Sequence, residues 1–133
     1  MKKTLRDILV GAGVAAALLA PAPVLAADVA GEIATAATHA TLASQAGTLA
    51  GVQTHLHHAI NCIVGPGDSR FDAKQLNPCA GAGSGAIPDM RDATKKKALK
   101  AAATTARGGL ATTDLAKAQK AATDTATQLK AIK

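Results

Sequence analysis

The chain has no tryptophan, no tyrosine and a single phenylalanine, Phe71. A sequence this poor in aromatic side chains has no platforms on which successive bases could stack, which argues against a channel for single-stranded nucleic acid. It also leaves only Phe71 to line a pocket for a large planar cofactor such as haem. Large aliphatic residues are scarce as well. Beyond residue 26, Leu, Ile, Val and Phe together number 17 among 107 residues, and Met90 is the one methionine there. That share is below the roughly 20% that usually stocks a globular interior, although the modest charge argues against disorder. Alanine supplies much of the remaining apolar content. It favours helix but buries little area, so helices built from it must approach closely, associate with another copy, or gain from a ligand or a covalent link.

An apolar run of membrane-spanning length is missing too. The run at 8–20 has 13 residues, short of the roughly 20 that cross a bilayer as a helix. Lys2, Lys3 and Arg6 precede it, and Pro21-Ala22-Pro23 and Val24-Leu25-Ala26 follow. These are the parts of a secretory signal peptide cut after Ala26. Position 27 is alanine, not the cysteine that a bacterial lipoprotein needs there. The expectation is a signal peptide over 1–26 and one exported domain over 27–133, working in the bacterial periplasm. That domain carries 12 basic and 8 acidic residues. A surplus so small suits solubility and weak contact with an anionic envelope surface, and does not suit nucleic-acid binding.

There are only two cysteines, and they form neither the C-x-x-C of thiol exchangers nor the C-x-x-C-H of attached c-type haem. In an exported chain, Cys62 and Cys79 are most simply a disulfide. Closing a loop with 16 residues between its ends stabilises a fold by roughly 3 kcal/mol in the chain-entropy picture. Once paired, Cys62 is no thiolate ligand.

Residues 28–64 read as one long helix rich in Ala and Thr, ended by Gly65-Pro66-Gly67. On a 100° wheel, Leu42, Leu49, Val52, Leu56, Ile60 and Ile63 fall in one stripe, while Gly47 and Gly51 mark a place for a bend or close crossing. Residues 65–88 hold five glycines with Pro66, Pro78 and Pro88, a loop of unusual length that the disulfide ties down. Asp89 then caps a helix running to Arg107, Gly108-Gly109 stop it, and Thr112 or Thr113 starts a last helix. Leu115, Ala118, Ala122, Thr125, Leu129 and Ile132 form its seam. The fold class predicted is all-α: a small helical bundle of one long helix plus a C-terminal helical hairpin, with a disulfide-tied Gly/Pro-rich loop.

Three of the four histidines, His55, His57 and His58, sit within four residues. His55 and His58 share a helix face with Cys62, whereas His57 falls on a different stripe together with the distant His39. One helix therefore offers two imidazoles, His55 and His58, to a single ion. Neutral imidazoles suit zinc, copper or nickel, with haem a second choice. Further ligands would have to come from Asp68, Asp72, Asp89 or a second chain. If the disulfide draws the loop back over these turns, Phe71, Asp72 and Asn77 become a lid, with Asp72 and Asn77 as supporting residues.

Signals for catalysis are missing. With Cys62 paired, neither a Cys-His nor a Ser-His-Asp arrangement can be argued, and no glycosidase-like carboxylate pair is recognisable. Gly81-Ala82-Gly83-Ser84-Gly85 lacks the lysine and the preceding strand of a phosphate-cradling loop. Lys95-Lys96-Lys97, Lys100, Lys117, Lys120, Lys130 and Lys133 read as the solvated faces of alanine-rich helices. The sequence thus predicts an exported, non-catalytic binding protein that takes a transition metal through His55 and His58. Its competitor is a structural or stress-related envelope protein, in which the same residues are scaffold and the Ala-rich faces associate in a homo-oligomer.

Overall fold

The computed structural model describes residues 26–133, so the signal-peptide reading of 1–26 falls almost entirely outside the described residues. The described residues form five helices: α1 (Val29–Gln45), α2 (Leu49–Val64), the single turn α3 (Ala86–Asp89), α4 (Ala93–Ala111) and α5 (Leu115–Lys130). α1 packs on α2 and α5, and α4 packs on the same two. The four long helices therefore form a bundle in the order α1, α2, α4, α5 around its axis. Among the described residues no helix is long and apolar enough to cross a membrane.

The all-α bundle matches the sequence reading, but its first half differs. The long helix expected over 28–64 is two helices that reverse at Ala46-Gly47-Thr48. Thr48 has extended backbone angles, and its hydroxyl accepts the Gly51 amide at 3.1 Å, so it is the N-cap of a new helix. Tertiary packing explains the reversal. Ile33, Ala36, Ala37, Ala40 and Ala43 of α1 are buried, while Leu42, assigned from the wheel to the apolar stripe, is 41% exposed. The face that packs is the alanine face, and α2 folds back to cover it together with α5.

Small residues set the spacing throughout. Leu56, Ile60, Ile63, Leu99 and Leu129 are fully enclosed, and around them lie Ala59, Ala102, Ala103, Ala106, Ala118 and Ala122. Gly109 marks a close crossing: a Cβ there would stand 2.6 Å from Leu56 Cδ1 and 3.1 Å from the Ala121 Cβ. The expected stop at Gly108-Gly109 is accordingly absent. α4 runs on to Ala111 because Gly109 is needed for contact inside the helix, and α5 starts behind its own N-cap, Asp114. At the other end, Asp92 rather than Asp89 caps α4, accepting the Lys95 amide at 2.8 Å.

The Cys62–Cys79 disulfide is formed, with Cα atoms 5.2 Å apart. It is one anchor for the loop. Another is Asn61, fully buried, whose Nδ2 donates to the carbonyls of Asp72 (3.0 Å) and Leu76 (3.1 Å) while its Oδ1 accepts the Asp72 amide (2.9 Å). One side chain thus satisfies several backbone groups of a segment with no regular structure of its own. The loop's return to the bundle needs glycine at Gly65, where φ is 71° and a Cβ would run into the Ser84 carbonyl. Buried Glu32 of α1 fastens the same place, its Oε1 accepting the Gly85 amide at 2.9 Å. Burial, followed by the nearby Asp89 and Asp28 charges, raises the Glu32 pKa, partly offset by that hydrogen bond.

Candidate metal centre

Reversal at Gly47 changes the histidine arithmetic. His39 lies eight residues before Gly47 and His55 eight after it, so an antiparallel hairpin brings them level, roughly 12 Å from the turn at 1.5 Å per residue. His58, one turn beyond His55, completes a triangle. Ring centroids are 5.6 Å apart for His39 and His55, 5.1 Å for His39 and His58, and 5.7 Å for His55 and His58. One ring nitrogen from each of the three lies within 4.8 Å of the others, a group that can hold a metal ion.

The Nδ1 atoms of His39 and His55 are 3.4 Å apart. Zn–N bonds of about 2.0–2.1 Å at tetrahedral angles put two ligand nitrogens about 3.3 Å apart, so this pair already has the bite of one ion. Without an ion, the contact is served by one imidazole donating its N–H to the lone pair of the other. The Nδ1 of His58 is buried and has no hydrogen-bond partner among the described residues. A buried ring nitrogen without a partner is costly. Burial, then the neighbouring histidines His58 and His55, lowers the pKa of His39. Burial, then His55 and His57, lowers that of His58. Both shifts favour the neutral imidazole, the form that ligates metal.

The structure places the sequence-predicted residues as follows. His55 and His58 are in the group, on α2. Cys62 is in the disulfide. His57 points elsewhere, with its Nδ1 3.6 Å from a carboxylate oxygen of Asp72. The lid expected over His55 and His58 is therefore displaced: Asn61 pins residues 72–76, which brings Asp72 to His57 on the other side of α2. Asn77 supports the approach to the disulfide, its Oδ1 accepting the Cys79 amide at 3.1 Å. The carboxylates considered as extra ligands are engaged too. Asp68 forms a two-pronged pair with Arg70 at 2.7 and 2.6 Å, which holds its pKa down at about 2, and Asp89 accepts the Ser84 amide.

Sequence reasoning missed His39, which it placed on the far stripe of an unbroken helix. The signal that would have found it is Thr48 as an N-cap beside Gly47, with His39 and His55 symmetric about that glycine. No family model matches the chain, and no curated protein or solved structure matches it either.

Proposed function

We propose that the protein is an exported, non-catalytic binding protein for a transition metal, held by His39, His55 and His58. The observation that carries this reading is the convergence of three half-buried imidazoles from two helices, one of them with a buried, unpartnered nitrogen. Three imidazole nitrogen ligands suit zinc, copper or nickel and leave a further coordination position open. The rings pack directly against one another, which favours an ion among them over a macrocycle such as haem. Among the described residues no carboxylate joins the group, so the ligands on offer are imidazoles alone. Export is supported by the signal-like residues before Ala26 and by a disulfide, a bond that persists in oxidising compartments such as the periplasm.

The test is titration of the purified protein with Zn²⁺, Cu²⁺ and Ni²⁺ by calorimetry. One ion per chain is expected, with binding lost in the His55→Ala, His58→Ala double variant. Unchanged stoichiometry and affinity in that variant would remove the proposal. The competing scaffold reading rests on the 3.4 Å His39–His55 contact, which ties α1 to α2 without any ion. It gains if none of the three metals binds and light scattering shows a homo-oligomer.

A further inference from the structure

A second recess lies away from the histidines, none of which lines it. It is a cleft of about 820 Å³ between the first half of α1, the end of α5 and the segment entering α4. That volume is in the range of small-molecule sites, about 300–1,000 Å³. Its floor is Ala30, Ile33, Ala34, Met90, Leu129 and Ile132. None of these side chains can form a strong hydrogen bond and none is aromatic, so the floor offers apolar contact and no polar recognition. What it can accept is a flexible saturated chain, against which Met90 adapts well.

The rim has a different character. Arg91, Lys95, Lys130 and Lys133 border the cleft together with Asp89 and Asp92. Backbone amides hold both carboxylates: Asp89 accepts from Ser84 and Asp92 from Lys95. Lys130 donates to the Thr41 hydroxyl at 3.1 Å, and among the described residues Arg91, Lys95 and Lys133 make no ion pair. An apolar trough thus opens beside three cations, Arg91, Lys95 and Lys133, that have no carboxylate partner among the described residues. A second copy of the 27–133 domain, with its 12 basic against 8 acidic residues, would bring a further surplus of positive charge to that rim.

From the unpaired rim cations and the purely apolar floor, we infer that the cleft binds a single-chain amphiphile with an anionic head, of the fatty-acid class. The chain lies along the α1–α5 trough and the carboxylate is met by Arg91 and Lys95. This site is independent of the metal centre.

Decanoate, laurate and myristate, each below its aggregation concentration, are titrated into the purified protein, with dodecyltrimethylammonium as the cationic control. One site per chain is expected, tightening by up to roughly fourfold for each added methylene, with the cationic control at least tenfold weaker than laurate. Arg91→Glu with Lys95→Glu should weaken laurate at least tenfold. Ala30→Gln with Ala34→Gln fills the trough from two exposed positions that tolerate glutamine in a helix, and should abolish binding while the circular dichroism spectrum stays unchanged. His39→Ala should leave laurate affinity as it is, which separates this site from the metal reading. The proposal is overturned if laurate does not bind, if the cationic control binds equally well, or if the Ala30→Gln, Ala34→Gln variant binds normally. It is equally overturned if only anionic vesicles bind, which makes the rim a membrane-contact surface, or if the protein forms a dimer that laurate does not dissociate.

Discussion

Replacing His39 by alanine tests the site and the chain reversal together. In a continuous helix His39 would be far from His55 and its loss would not affect metal binding, whereas in the bundle it is one of three clustered imidazoles and the only one from α1. An ion bridging α1 and α2 stabilises the folded state by RT ln(1 + [L]/Kd), about 2.7 kcal/mol at a free metal concentration of 100 Kd. For a domain of about 100 residues each kcal/mol moves Tm by about 4 °C, so metal should raise the unfolding midpoint by about 10 °C. Removing a direct ligand should weaken binding by at least the roughly 100-fold that loss of an outer-shell partner can cost. At the same metal concentration the stabilisation then falls to about 0.4 kcal/mol, a shift of under about 2 °C. Differential scanning calorimetry of wild type, His39→Ala and His57→Ala, with and without metal, reads this directly. His57→Ala should retain the full shift, because that ring faces Asp72. A full shift in His39→Ala, or its loss in His57→Ala, would refute the three-histidine geometry.

Asn61→Leu should cost about 2–4 kcal/mol in urea unfolding, since the amide of Asp72 and the carbonyls it now satisfies lose their partner, and hydrogen exchange should quicken over residues 72–76. The two adjacent glycines of α4 should respond in opposite directions. Gly108→Ala, with open space around it, should stabilise by about 0.5–1 kcal/mol, and Gly109→Ala should destabilise by about 1–3 kcal/mol as its methyl meets the enclosed Leu56. Stability measured by urea midpoints should fall as pH drops below 6.5. The lowered pKa values of His39 and His58 mean that the unfolded chain takes up protons first, so their contribution is complete above the unfolded value and is lost as pH falls through the folded one. Glu32 acts in the reverse sense, adding stability as pH falls toward 4.5, and the His39→Ala, His58→Ala double variant should flatten the histidine part of the profile. Replacing both cysteines by alanine should cost roughly 3 kcal/mol, seen as a lower unfolding midpoint in reductant-free buffer.

Much of the architecture was legible because it is local. Gly65 and the prolines that follow end α2, the two cysteines declare their pairing through spacing and even count, and the alanine, lysine and threonine content of 93–130 marks helix. Element ends were read less well where a tertiary contact overrides the local signal. Gly109 looks like a stop, yet it sits inside α4 because Leu56 of another helix occupies the space a side chain would need. Asp89 looks like a cap for α4, yet its carboxylate is drawn to the Ser84 amide and the capping passes to Asp92.

The candidate site divides in the same way. By itself the sequence determined that His55 and His58 share a face, since one turn of helix is enough for that, and that Cys62 is unavailable as a ligand. Only the tertiary structure decided that His39 is the third imidazole and that Asp72 belongs to His57. The physical reason is that an alanine stripe carries too little hydrophobic contrast to show which face will be buried. Helix reversal at Thr48 follows from covering that stripe, and the covering helix is what brings residues 39 and 55 level.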